Sequence, residues 1–135
     1  MKMGIYSRFI MIKKSILFIL LIITIASCNI YKTSRELNFF ELKRKSQDEN
    51  SISVYGTIFD KYDRFGLKYS EIKLTNLKNE YSTQSDKKGN FNFLNIEEGE
   101  YILKANHLGY YSFKDTLKVK YKEVLVIKIG LGYDE

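Results

Sequence analysis

From Ser51 onward, apolar and polar residues alternate at every second position, and that period admits little except half-buried β-strands. Val54, Gly56 and Ile58 alternate with Tyr55, Thr57 and Phe59. Ile72 and Leu74 follow, then Phe91 and Phe93, then Tyr101, Leu103 and Ala105, then Leu117 and Val119, and last Leu125, Ile127, Ile129 and Leu131. Turn-forming stretches separate the runs: "DKYDRFG", "LKNE", "DKKGN", "EEGE", "HLGY" and "KYKE". About seven short strands at this spacing predict an all-β fold, an antiparallel β-sandwich over residues 51–132. Its inner faces supply about 15 large apolar side chains, each worth roughly 1.5 to 3 kcal/mol on burial before entropy is subtracted.

Several residues between the strands have conformational reasons to be where they are. Gly56 shares a face with Val54 and Ile58, which marks a place where another backbone or a large side chain packs closely. Asp86 can accept backbone N–H bonds across "DKKG", and Gly89 can take the positive φ that closes the turn. Gly99 does the same before the Tyr101 strand, and Gly109 marks the turn before Tyr110. The order "VYGTIFD", "IKL", "SDKKGNFNF", "IEEGEYIL" and "GY" resembles the carboxypeptidase regulatory-like domain family, over Ile52 to Leu131. That resemblance implies a transthyretin-like Greek-key sandwich in an exported protein of the Bacteroidota type. It also implies an accessory module working beside peptidases or outer-membrane receptors. The chain departs from the family between the first two strands, where "DRFGLKYSE" replaces a proline-leucine pair and a small residue.

Ahead of this region, Lys13-Lys14 and "SILFILLIITIAS" form an export signal: a positive end, an apolar stretch of about 10 residues, and small residues before a cut. A spanning helix needs about 20 apolar residues, and Ser15 to Ala26 is too short. Met11 is the better-placed start for such a signal, with "MKMGIYSRFI" then either a misassigned start or a long positive region. Ile25-Ala26-Ser27-Cys28 resembles the lipobox of bacterial lipoproteins. The resemblance implies cleavage between Ser27 and Cys28, with 1–27 as signal peptide and a thioether-linked diacylglycerol on the Cys28 sulfur. Three acyl chains exceed the two hydrophobic signals that stable anchoring requires. Cys28 is the only cysteine, so no disulfide can form within the chain. By the same resemblance, Asn29 in place of aspartate favours the outer membrane, facing the periplasm. The first acid after Cys28 is Glu36, behind Lys32 and Arg35, so surface display is not indicated, though it stays open.

Residues 29–50 lack strand alternation and end in a charged cluster, which predicts a lipidated N-terminus and tether over 28–50. Leu37, Phe40 and Leu42 line one side of a helix too short to be stable alone. An unfolded tether of that length would reach roughly 25 Å. Phe39 and Phe40 would then dock either on the membrane or on the domain.

The formal charge of +6 comes from 22 basic and 16 acidic residues. Lys2, Arg8, Lys13 and Lys14 precede Cys28; without them 18 basic residues face the 16 acidic ones. A net +2 supplies no concentrated patch for phosphate neutralisation, which excludes nucleic acid as the expected partner. His107 is the sole histidine, with no second imidazole or thiol to complete a zinc site. Asp60, Asp63 and Asp86 lack the oxygen spacing of a calcium loop. No glycine-framed serine elbow or phosphate loop is present. Transthyretin-like folds include the hydrolase of 5-hydroxyisourate, but its several histidines and its tyrosine-arginine-glycine-serine tail have no counterpart in His107 and Gly132-Tyr133-Asp134-Glu135. The expected site list therefore holds no catalytic residue, metal ligand or cofactor. Tyr55, Phe59, Tyr69, Tyr110 and Tyr111 are the candidates for a binding face that stacks on sugar rings or a protein partner. Ordinary cross-strand packing is the competing explanation for them. The expected function is a non-catalytic, lipid-anchored cell-envelope module that is structural or binds protein. Carbohydrate binding is second and a degenerate hydrolase a distant third.

Overall fold

A computed structural model describes Leu37 to Tyr133. The expected signal peptide over 1–27, with Ser27, Cys28 and Asn29, lies outside the described residues. Eight strands follow in order: β1 Phe39–Ser46, β2 Ser53–Asp60, β3 Glu71–Thr75, β4 Glu80–Gln84, β5 Asn90–Leu94, β6 Gly99–Asn106, β7 Phe113–Val119 and β8 Glu123–Leu131. They form two four-stranded sheets, ordered β1-β8-β2-β5 and β4-β3-β6-β7. Alternate residues of both sheets point inward, and Val54, Ile58, Ile72, Leu74, Leu103, Leu125, Ile127 and Ile129 are wholly shielded from water. The all-β sandwich expected from the alternation is the fold.

Two features differ from expectation. The sheets are not purely antiparallel, because β2 and β8 run parallel from Ser53 beside Val124 to Asp60 beside Leu131. Parallel neighbours need a long crossover. Here the crossover is the entire second sheet together with β5, so the parallel pair closes the sandwich around its own connection.

The second correction concerns the tether over 28–50. Phe39 to Ser46 is a strand, antiparallel to β8 with Phe39 beside Gly130 and Ser46 beside Glu123. Its charged residues conceal a period of two. Phe40 and Leu42 pack against the core, with the Phe40 ring stacked on Phe113 of the other sheet at 5.1 Å between centroids. Glu41 instead bridges Lys43 at 3.1 Å and Lys128 at 3.4 Å. Lys43, Arg44 and Lys45 are exposed on an edge strand, where charge discourages pairing with another chain.

One close approach sets the spacing of β2 and β5. Gly56 lies beside Phe91, and a Cβ at residue 56 would fall 2.1 Å from Cζ of that ring. The glycine therefore lets Phe91 lie over the β2 backbone, and the ring meets Phe93 edge-on at 6.2 Å.

Candidate functional site

Most of the polar side chains that could do chemistry gather at one end of the sandwich. Residues 61–70 connect β2 to β3 there, residues 85–89 connect β4 to β5, and residues 107–112 connect β6 to β7. The entry to β1 and the residues after β8 meet at the same end, where the Gly132 N–H donates to Oδ1 of buried Asn38 at 3.0 Å. Asn38 in turn donates through Nδ2 to the Ser112 carbonyl at 3.2 Å.

Asp60 ends β2 on the inward parity of Val54, Gly56 and Ile58, and it is buried. Its Oδ1 accepts the N–H groups of Tyr62 at 2.7 Å and Asp63 at 2.8 Å. Its Oδ2 accepts the Tyr110 hydroxyl at 2.7 Å. Burial is the largest influence on this carboxyl and pushes its pKa up. The Asp63 N–H, the Tyr110 hydroxyl and the Tyr62 N–H together outweigh burial and hold it below the ordinary 3.8. The same contact acts oppositely on Tyr110: burial first, then Asp60, pushes its hydroxyl up to about 12. Tyr110 also meets Tyr133 edge-on at 5.3 Å, and Tyr133 meets Tyr62 likewise at 5.3 Å.

Ser70 and His107 form the one arrangement at this end that looks catalytic. Ser70 Oγ lies 2.8 Å from His107 Nδ1, within reach of a nucleophile and its base. Ser70 is, however, completely buried, so no substrate can reach its hydroxyl. Its N–H donates to Ser85 Oγ at 2.8 Å, and Ser85 Oγ donates to the Leu67 carbonyl at 2.6 Å. The pair is a polar seam stitching the 61–70 loop to β4 and β6. Burial holds the His107 pKa below its ordinary value, which keeps the ring neutral near neutral pH. Among the described residues, no three histidine, cysteine or carboxylate side chains gather as a metal site.

The Asp86 turn is likewise committed to structure. Oδ1 accepts the N–H groups of Lys88 and Asn90, each at 2.8 Å, and the bonds from Asn90 and then Lys88 lower its pKa. Gly89 takes φ +83° in that turn, Gly99 opens β6, and Gly109 takes φ +86° in the 107–112 loop. Gly66 closes the turn-forming stretch "DKYDRFG". A Cβ there would lie 1.9 Å from the Lys88 carbonyl oxygen, so the 61–70 loop and the Asp86 turn touch backbone to backbone.

The five aromatic candidates do not make one platform. Tyr55 is 45% exposed and stands on the outer face of β2 beside Val126 and Asn92. Phe59 is on that face too, but half-buried, with Phe39 at 5.9 Å and the Arg64 guanidinium 5.4 Å above its ring. Tyr69 projects from the 61–70 loop, while Tyr110 and Tyr111 are half-buried in the 107–112 loop, the Tyr110 hydroxyl spent on Asp60. A shallow depression of about 590 Å³ lies on the outer face of the second sheet between Lys73, Glu80, Glu100, Ile102 and Lys104.

The Asp60 network makes a definite prediction. Asp60→Ala strands one buried hydroxyl and two N–H groups, which should cost about 2 kcal/mol in urea melts. Because the Asp60 pKa is lowered on folding, its contribution is present above 3.8 and lost as pH falls through the folded value. His107, also lowered, adds a loss that begins below 6.5. Tyr110, raised, contributes below 10.0 and is lost as pH rises toward about 12. Stability should therefore plateau between pH 6.5 and 10.0 and fall on both sides. Tyr110→Phe should lessen the alkaline fall and leave the part due to Tyr101, whose hydroxyl burial also pushes up.

Comparison with known proteins finds one family: the CarboxypepD_reg-like domain matches residues 54–134. No curated protein matches the chain.

Proposed function

The chain belongs to the CarboxypepD_reg-like domain family, and from that premise we propose that it is a lipid-anchored protein of the cell envelope, acting without catalysis as a protein-binding or structural module. Domains of this family are non-catalytic β-sandwiches. Supporting the same reading here, Asp60, Ser70, His107 and Asp86 are committed to holding loops together. The anchor reading rests on "IASC" at residues 25–28, with Cys28 as the lipidated residue and the outer membrane, facing the periplasm, as the address.

The observation that favours a protein partner over a sugar is the scatter of the aromatic candidates set against the character of one edge. Of the four edge strands among the described residues, β1, β4, β5 and β7, only β5 carries no charged side chain. Its sequence, Asn90 to Leu94, turns both phenylalanines inward and leaves a neutral backbone edge, the surface that accepts an added strand.

The test has two arms. Cys28→Ala should abolish incorporation of labelled palmitate and leave a precursor of unprocessed mass; unchanged labelling would remove the anchor. A photocrosslinker placed at exposed Asn92 should capture a protein in intact cells, while one at Lys118 on β7 should not. Equal capture at both positions, or none at either, overturns binding at this edge.

A further inference from the structure

The end of the sandwich that holds the Asp60 network differs in surface chemistry from the opposite end. Tyr62, Phe65, Tyr69 and Leu108 are 56%, 53%, 59% and 97% exposed there, three of them aromatic, whereas the other end exposes Leu77, Leu94 and the single ring of Tyr121. Among its loops stand Lys61, Arg64, Lys68, Lys87 and Lys88, against Asp60, Asp63 and Asp86. Asp60 is buried under three donors, which leaves Asp63 and Asp86 as the exposed acids among these five cations. The loops at the other end, residues 47–52, 76–79, 95–98 and 120–122, reverse the balance: Asp48, Glu49, Glu97 and Glu98 against Lys78, Lys120 and Lys122.

Backbone strain is present at both ends, at Asn95 and Lys122 on the acidic one. Arg64 and Tyr69 both adopt left-handed conformations, φ +65° and +59°, which are unfavourable for residues with a Cβ. The Lys61 ammonium lies 5.8 Å from the Tyr62 ring centre and the Lys68 ammonium 6.0 Å from that of Tyr69. Rings with an apolar body and a polar tip, interleaved with long cationic side chains, suit a bilayer interface, where the rings sit at headgroup level and the cations meet phosphates.

Chain geometry directs this end toward lipid. The described residues begin at Leu37, whose carbonyl accepts from Lys61 Nζ at 3.2 Å, so the chain enters β1 at the aromatic and cationic end. Cys28 is nine residues earlier, and nine residues span at most about 30 Å and on average roughly 17 Å. Strands of eight or nine residues are about as long as that maximum. With β1 part of the sheet, the tether is too short to present the acidic end to the membrane without stretching past the whole domain.

We propose that this end, built from Tyr62, Phe65, Tyr69 and Leu108 with Arg64, Lys68 and Lys88, docks on an anionic phospholipid bilayer. The docking rests on the anchor reading above, and it fixes the domain's orientation: β5 and the outer sheet faces stand upright, open to partners from the side.

The test uses the processed full chain in vesicles of phosphatidylcholine with and without 30% phosphatidylglycerol. Lipidated Cys28 has no free thiol, so Leu108→Cys places a single environment-sensitive fluorophore at this end and Tyr121→Cys places one at the other. The residue-108 probe should shift to the blue and be quenched by spin-labelled lipid on anionic vesicles, and Lys68→Glu with Lys88→Glu should reverse that shift. The residue-121 probe should stay in water throughout. A residue-108 probe as wet as that at 121, on a chain whose mass shows acylated Cys28, overturns the docking and leaves the anchor standing. A chain without acyl groups on Cys28 overturns the anchor; flotation of the Cys28→Ala chain with anionic vesicles then decides the docking, co-flotation upholding it and its absence overturning it.

Discussion

A chain cut back to Ser51 should fail to give soluble, folded protein, whereas one beginning at Leu37 should melt cooperatively. The truncation removes β1, and with it the Phe40 and Leu42 side chains that pack on the core. Half-buried as they are, the two contribute about 3 kcal/mol between them. Asn38 goes too, with its bonds to Gly132 and Ser112, worth about 1 kcal/mol each. A loss of about 5 kcal/mol equals the lower bound on the whole stability of a domain this size. The cut also exposes β8, whose Leu125, Ile127 and Ile129 are all buried, as a nine-residue edge charged only at Glu123 and Lys128, and long apolar edges pair with other chains. Circular dichroism and light scattering on the two proteins separate the outcomes. A truncated chain that stays monomeric and melts like the longer one would show that β1 is an ornament on a sheet complete without it.

That strand was also the least legible part of the fold. Six of the eight strands announce themselves by aliphatic or aromatic residues at every second position, because one face of each packs on one continuous core. In β1 only Phe40 and Leu42 face inward, and Phe39 on the outward parity breaks the pattern. β4, "EYSTQ", has no aliphatic residue at all; it is visible only as the gap between two turns, with half-buried Tyr81 and Thr83 facing in. Edge strands bury less, and so write less of themselves into the sequence. The polar end of the sandwich was partly legible by the same parity. Asp60 falls in step with Val54 and Ile58, and Asn38 in step with Phe40 and Leu42; a polar residue on an inward parity at a strand end signals a buried cap. Ser70, Ser85 and Gly66 carry no such mark, since their partners come from segments far apart in the chain and no local pattern specifies them. The scatter of the aromatic candidates was hidden for a related reason: proximity in sequence to a loop does not say which face of that loop a ring takes.

Gly89→Val should cost about 3 to 4 kcal/mol, and Gly109→Val, at nearly the same backbone conformation, only about 1 to 2. Both glycines are left-handed, φ +83° and +86°, so both variants carry the conformational penalty of a Cβ there, about 1 to 2 kcal/mol. They differ in what the new atom meets. At residue 109 nothing lies within 4 Å. At residue 89 a Cβ would lie 2.2 Å from the Ile58 carbonyl oxygen and 2.9 Å from the Gly66 Cα. Neither neighbour can yield cheaply. The Ile58 oxygen accepts the Leu67 N–H at 2.9 Å, and the Ile58 N–H donates to the Gly89 carbonyl at 2.8 Å. Moving the strand away from the turn would break both bonds and drag the 61–70 loop from its seat, so overpacking adds about 1 to 3 kcal/mol to the conformational cost. The difference between the two variants in urea melts isolates the contact from the φ. If the two prove equal, the turn and the loop do not touch, and the end of the sandwich that gathers Asp60, Tyr69 and the cationic side chains is looser than its hydrogen bonds require.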